Sequence, residues 1–273
     1  MDHYLKFWGT RGSCPVSGSQ YTHFGGNTSC LEIRYGANLA IIDAGTGILP
    51  LGNRLLKEGI RKFHLFFSHM HWDHLIGFPF FKPLYRPDVE IAIYAPKGDG
   101  RAPKELFEEL FAKEFFPVDF SALPAKIEFC SMQPATPVRL GDLAIECHLA
   151  HHVYTTWCFK IKTPKEKIGY ATDNEVELPF DEGFVEFFQG CDLFIHEMQY
   201  SEKEHLERKG WGHSSPSVIL PFIEKIQPGR WIVTHHDPDH TDRDLHEFCQ
   251  EIKQKTPVPV EWVYDGAVIP LKE

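Results

Sequence analysis

Residues 66–81 read FFSHMHWDHLIGFPFF: three histidines and an aspartate enclosed by two apolar flanks. This stretch constrains the chain more than any other. An apolar strand runs straight into four groups that are costly to bury unless they find partners. His69 and His71 are two positions apart, so in extended backbone they point the same way. Asp73 and His74 follow as the chain bends toward a helix. Imidazole and carboxylate are ligands for zinc and similar divalent ions. The spacing supplies two pairs of ligands for two adjacent points, rather than four for one. The competing reading is a chance cluster in a chain with 16 histidines.

The same arrangement recurs. Strands are expected at residues 3–8, 29–35, 38–43, 62–67, 89–95, 143–150, 155–162, 167–172, 192–196 and 230–235. Helices are expected at 48–59, 102–115, 214–227 and 242–255. The proline-rich residues 117–137 read as irregular. No linker separates the halves, so residues 1–273 read as one α/β domain built of two sheet-plus-helix halves. Four further polar clusters fall where strands stop, which is where function collects. CHLAHHVYTTWCF holds His148, His151 and His152, one of them a candidate ligand. Asp173 in GYATDNE can bridge two cations or merely stabilise a turn. DLFIHEMQY and WGHSS hold His196, Glu197 and His213; a His–Glu pair can orient and tune an acid, while Ser214 equally fits a helix cap. WIVTHHDPDHTD places His235 directly after a strand. His236, Asp237 and His240 lie beyond it, behind the ligands or in solvent.

Composition removes several classes. The 273 residues are 42% hydrophobic, enough for one large core or two small ones. No run of 18 apolar residues suggests a membrane span, and the first residues lack the pattern of a secretory signal, so a cytoplasmic location is the expectation. Seven cysteines without a C-x-x-C read as reduced, mostly buried small hydrophobes. A formal charge of −10 argues against a broad footprint for nucleic acid.

SHMHWDH matches the H-x-H-x-D-H signature of the metallo-β-lactamase superfamily, and the later clusters fall in that superfamily's order. GTRGS, FGGNTSC, IIDAGTG, DLFIHEMQY and GHSS resemble its ribonuclease-Z-like branch, nearly from end to end of the chain. The resemblance implies a four-layer αβ/βα sandwich with two divalent metal ions at one edge between the sheets. It implies one ion on His69, His71 and a lone histidine, a second on Asp73, His74 and His235, and Asp173 bridging. In the branch the lone histidine stands six residues before a small residue. Counting back from Cys158, which replaces the usual Gly, selects His152, with His151 the alternative; His148 lies too far inside the preceding strand. Zinc is the first expectation, and manganese or iron suits the same donors. Two cations lower the pKa of a shared water to give a bridging hydroxide and neutralise charge on phosphoryl oxygens. Asp73 would hold one ion and orient the nucleophile. His213, oriented by Glu197, resembles the branch's proton donor, and His196 reads as structural.

The branch contains tRNA 3′-processing enzymes and smaller phosphodiesterases, including ones acting on cyclic nucleotides. The tRNA enzymes carry a long arm between the lone histidine and the bridging aspartate. Here His152 and Asp173 are 21 positions apart, filled by two strands and the turn TPKEK. Lys160, Lys162, Lys165 and Lys167 make a small basic patch that a solvated hairpin tip explains equally well. The expected partner is therefore a small phosphodiester, with neither a membrane nor a large nucleic acid. Residues 75–85 can line the pocket, pack in the core or form a homodimer contact. The alternatives are a carboxyl-ester, lactone or thioester hydrolase of the same fold and, last, a non-catalytic metal-binding protein. A β-lactamase is disfavoured by the missing export signal and the Gly-His-Ser segment. A diiron oxidoreductase of this fold would carry Glu where His71 stands.

Overall fold

The computed structural model describes residues 3–98 and 100–273. Every expected strand forms, with ends within two residues of expectation, which is the ordinary uncertainty of such boundaries. The first half contains β1 (His3–Gly9), β2 (Cys30–Tyr35), β3 (Asn38–Ile42), α1 (Ile48–Lys57), β4 (Lys62–Phe66), α2 (Trp72–Leu75), β5 (Glu90–Tyr94), α3 (Pro103–Leu110) and β6 (Lys126–Cys130). The second contains β7 (Val138–Leu140), β8 (Leu143–Leu149), β9 (Trp157–Lys162), β10 (Lys167–Ala171), α4 (Glu182–Phe188), β11 (Leu193–Glu197), α5 (Glu202–Arg208), α6 (Pro216–Ile226), β12 (Arg230–Thr234), α7 (Asp242–Lys253), β13 (Val260–Trp262) and β14 (Val268–Pro270).

These strands make two seven-stranded sheets, in the orders β14-β1-β2-β3-β4-β5-β6 and β13-β12-β11-β10-β9-β8-β7. Strands β3 to β6 run parallel to one another, as do β10 to β13. The remaining neighbours are antiparallel. Because strand side chains alternate between faces, each sheet has two apolar faces to cover. One face of each meets the other sheet: Phe7, Ile33, Ile42 and Phe66 pack with Ile145, Phe159, Ile195 and Ile232. On the outer face of the first sheet lie Leu51 and Leu55 of α1 and Phe107 of α3. On that of the second lie Phe184 and Phe188 of α4, Phe222 of α6 and Leu245 of α7. The layers are therefore helix, sheet, sheet, helix, the αβ/βα sandwich.

The sequence expectations miss where the apolar signal is weak. The helix expected to reach residue 115 ends at Leu110. The segment read as irregular contains β6, an edge strand whose residues are only half-buried or exposed. Helices α4 and α5 escape notice because each is only seven residues long, although both carry caps: Asp181 accepts from the Phe184 amide, and Ser201 pairs with Glu204 in a capping box. Residues 75–85 go mainly to the core, with Leu75, Phe78, Phe81 and Leu84 packed under α1 and α3. Among the described residues no helix is long and apolar enough to cross a membrane. All seven cysteines are unpaired, four of them buried.

Backbone hydrogen bonds stitch the two sheets together at one edge. The Trp157 amide at the start of β9 donates to the carbonyl of Ser68 just beyond β4 (2.8 Å). The Gly12 amide donates to His236 (2.9 Å), and the His236 amide to Thr10 (2.8 Å). The C-terminal ends of β3, β4, β10, β11 and β12 all open onto this edge, and every polar cluster of the sequence arrives there.

Candidate metal centre

Three of the converging residues sit in strained backbone. Asp43, Asp173 and His235 follow β3, β10 and β12 with φ of 64°, 54° and 58°. The left-handed region costs an ordinary residue roughly 1–3 kcal/mol. Here it turns the chain out of the strand and aims the side chain into the gap between the sheets. His69 and His71 come from the loop after β4. Asp73 and His74 come from α2, which hydrogen bonds hold against the turn after β3: Ala44 donates to His74, and Gly77 to Ala44 (2.8 and 2.9 Å).

Two groups of donors result, His69–His71–His152–Asp173 and Asp73–His74–Asp173–His235; within each, one atom per residue lies within 4.8 Å of every other. Asp173 belongs to both. His152 joins the first group, whereas the His151 ring packs against Phe184 (5.9 Å) and His148 lies beside its own strand's Leu149 carbonyl (2.9 Å).

The fit to cations can be judged from the hydrogen bonds. Nδ1 of His152 donates to the Gly212 carbonyl (2.9 Å), which can only accept, so its Nε2 carries a lone pair. Nδ1 of His74 meets Asp43 (2.8 Å), and Nδ1 of His235 meets Gln199 Oε1 (2.9 Å). Nδ1 of His69 meets Ser68 Oγ (3.0 Å), whose hydroxyl also faces Asp43. Such outer contacts fix a ligand's tautomer and ring orientation. The inward atoms face one another: Nε2 of His74 is 3.3 Å from Nε2 of His235, and Nε2 of His152 is 3.1 Å from Nδ1 of His71. Nε2 of His69 and Oδ2 of Asp173 are buried without a hydrogen-bond partner. Nε2 of His74 and of His235 come within 3.0 and 3.2 Å of that oxygen, but neither is aimed at it. Lone pairs converging on shared points, with buried polar atoms otherwise unsatisfied, suit two divalent ions.

Electrostatics agree. Burial, then neighbouring histidines, hold His69 well below the usual imidazole range and His71 down to about 4. Burial also lowers His152. These rings are neutral and ligand-ready at neutral pH. His74 goes the other way: burial lowers it, but Asp73, Asp173 and Asp43 outweigh burial and raise it well above the usual value. Three carboxylates thus demand positive charge at that point. Burial opposes ionisation of Asp73 and Asp173, yet the surrounding histidines keep both well below the usual carboxylate range.

His213 lies over the centre, its ring 5.5 Å from that of His152 and 5.4 Å from that of His235. Its Nδ1 is 3.6 Å from Glu197 Oε1, an ion-pair distance longer than a hydrogen bond. Glu197 is fixed at the end of β11 by the amides of Ser214 (2.8 Å) and Gln199 (2.7 Å). Burial would lower His213, but Glu197 outweighs it and the net shift is upward. The loop carrying His213 is held by Glu175, which accepts from the amides of Gly210 and Gly212 (both 2.9 Å). Gly212 has φ of 89°, and a Cβ there would fall 2.0 Å from Nδ1 of His152, so only glycine fits.

The structure keeps the other candidates off the centre. Nε2 of His196 pairs with Asn174 (3.0 Å). His236 is buried against Val263 O (2.7 Å), Asp237 accepts from Arg208 (3.0 Å) and His240 pairs with Glu204 (2.9 Å), so none of the three stands free in solvent. Ser214 does not cap α6; Ser215 occupies the cap position, and Ser214 Oγ donates to Asn174 O (2.7 Å). Sequence reasoning passes over Asp43, Gln199 and Glu175. Asp43 carried the same signal as Asp173, an acid ending a buried strand; Gln199 and Glu175 carried none.

Residues 40–236 match the beta-lactamase superfamily domain. The chain belongs to the metallo-β-lactamase superfamily. Among curated relatives of this superfamily member is ribonuclease Z of Porphyromonas gingivalis, 22% identical over 86% of this chain and 91% of that protein. Among solved structures, the metallo-β-lactamase fold protein YhfI of Bacillus subtilis superposes with a TM-score of 0.73 at 17% identity, covering 98% of this chain and 99% of that one. A diphosphatase of the PhnP family gives 0.69 at 16% identity, covering 98% of each. At these identities the solved structures establish the fold alone. The superfamily is one of metal-dependent hydrolases, and this chain is a hydrolase of the metallo-β-lactamase fold.

Because Asp43 orients His74 and Ser68, Asp43→Asn is expected to weaken retention of the second ion roughly 10–100-fold. Asparagine tolerates the left-handed backbone, so the fold should survive. Competition against a chromophoric chelator measures the loss, and unchanged affinity would show that Asp43 does not tune the centre.

Proposed function

We propose that this chain is a dinuclear-metal phosphodiesterase acting on a small phosphodiester. The observation that carries the reading is His213, paired with Glu197 and poised between the two donor groups. In this reading His69, His71 and His152 hold one ion, Asp73, His74 and His235 the other, and Asp173 bridges. When bound, two cations supply a hydroxide at neutral pH and offset charge developing on the phosphoryl oxygens. Zinc suits the donors first, then manganese or iron.

The chain's own groups do the rest. Asp73 Oδ2 accepts from the Ser13 amide (2.8 Å), which fixes the carboxylate that orients the attacking oxygen. As the new P–O bond forms and the bond to the leaving oxygen breaks, that oxygen needs a proton. Nδ1 of His213 faces Glu197, which leaves Nε2 to deliver it. Water is consumed, and an alcohol and a phosphomonoester leave. A ribonuclease among the relatives and a diphosphatase among the neighbours are in keeping with chemistry at a phosphate ester.

The small size of the substrate rests on the segment between His152 and Asp173. It is β9, a turn closed by the Thr163 amide donating to Glu166 O (3.0 Å), and β10, and no arm extends from it. Lys160 and Lys162 both pair with Glu146 (3.3 and 2.6 Å) rather than presenting a basic stripe to a polyanion.

Dialysis against a chelator is expected to abolish hydrolysis of bis-p-nitrophenyl phosphate, and added divalent ion to restore it. Full activity in a metal-free preparation overturns the proposal. Turnover of nitrocefin or a lactone without turnover of any phosphodiester favours carboxyl-ester chemistry instead.

A further inference from the structure

A cavity of about 460 Å³ opens beside His71. It has the size of a small-molecule pocket and exceeds what a phosphoryl group alone requires. Its walls include Met70, Trp72, Leu110, Phe115 and Tyr154. Trp72 is 55% exposed and Phe115 77%, so two large aromatic groups face water on one side of the donor cluster. Exposed apolar groups gathered around a cavity mark a binding site more often than an idle surface.

We infer that this cavity receives a flat heteroaromatic ring, of nucleobase size, carried by the substrate's ester group. Three observations point to such a ring. First, Trp72 stands between His71 and Asp73 in sequence, so the backbone that fixes two donors also fixes the stacking surface. Second, Arg101 and Glu109 on the rim are paired with each other (2.6 Å). They offer spare N–H donors and a carboxylate acceptor, which match a heteroaromatic edge and which an alkyl chain cannot use. Third, the ring of Tyr154 lies 5.9 Å from that of His71, in a place the chain makes room for. A Cβ on Gly98 would fall 1.5 Å from its hydroxyl, so any side chain there would push the Tyr154 ring from its place between the loop after β5 and the loop that carries His152. The pocket is thus built by both halves of the sandwich, as the donor cluster is.

The inference builds on the phosphodiesterase reading, and binding separates the two. Adenosine 5′-monophosphate and ribose 5-phosphate share a phosphomonoester and a ribose and differ by the base. In calorimetric titration of the metal-loaded protein, the nucleotide is expected to bind roughly ten- to hundredfold more tightly, the range of one base stacked on aromatic side chains. In Trp72→Ala and in Phe115→Ala that ratio should fall at least several-fold, with ribose 5-phosphate binding unchanged. Phe115 is far in sequence from every donor, so its variant keeps the test clear of damage to the centre. Equal affinity for the two ligands in the unmutated protein overturns the inference, as does a ratio that survives both substitutions. Tighter binding of octyl phosphate than of the nucleotide overturns it too, in favour of an aliphatic pocket. If the nucleotide is preferred but bis-p-nitrophenyl phosphate is not hydrolysed, the pocket stands and the phosphodiesterase reading fails. If the phosphodiester is hydrolysed but the nucleotide is not preferred, the phosphodiesterase reading stands and the base pocket fails.

Discussion

Asp73→Ala is expected to reduce hydrolysis of bis-p-nitrophenyl phosphate by roughly 10³-fold or more, and the ion content from two per chain toward one. The size follows from how many contacts meet at one atom. Oδ2 of Asp73 accepts from the Ser13 amide and lies 3.1 Å from Nε2 of His235 and 3.2 Å from Nε2 of His74. Alanine removes a negative charge that faces both histidines of the second donor group. His69 and His152 keep their outer contacts with Ser68 and Gly212, so the first group should still bind. Circular dichroism separates this from unfolding, because Asp73 lies on α2 outside the three apolar clusters. Activity near that of the unmutated chain would sink the assignment of Asp73, whatever the metal.

The second large effect belongs to His213. His213→Ala is expected to lower kcat by roughly 10²–10⁴-fold, the range for loss of a positioned acid, with ion content unchanged. Its pH behaviour tests the role more sharply. A proton donor must be protonated, so kcat should fall as pH rises through the His213 pKa, which lies above the ordinary imidazole value because Glu197 outweighs burial. Glu197→Gln removes the carboxylate charge and leaves burial, which lowers the pKa. The alkaline limb should therefore move to lower pH. Bound cations would lower the pKa in both proteins, so the direction of the difference holds. An alkaline limb that does not move in Glu197→Gln would make the pair structural. Stability follows the same sign: a histidine raised in the folded state contributes most below its unfolded pKa, and that contribution is lost as pH rises through the folded value.

Much of the architecture was legible because burial leaves a pattern in the chain. Strands covered on both faces read as continuous apolar runs, and the residues that stop those runs read as polar clusters. The weak elements lacked that contrast. Edge strand β6 is half-buried, and α4 and α5 are too short for periodicity to register, so only their caps announced them. Asp43 was overlooked although it ends β3 just as Asp173 ends β10. Nothing nearby in sequence shares its partners, His74 and Ser68, 31 and 25 positions away.

By itself, the order of residues determined that apolar strands would end in histidine and aspartate, and the resemblance built on that order carried the sandwich and the donor set. Local chain geometry is enough for that, since a spacing of two sets direction within a strand. Tertiary structure decided the rest. It turned the His152 ring inward, held by the Gly212 carbonyl on a distant loop, and left His151 and His148 outside the donor groups. It placed Glu175 and Gln199 behind the donors, hid His236 and Asp237, and left Trp72 and Phe115 around an open cavity. Each of these outcomes depends on a contact between segments far apart in the chain, and sequence spacing holds no information about which distant partner will satisfy a buried polar atom.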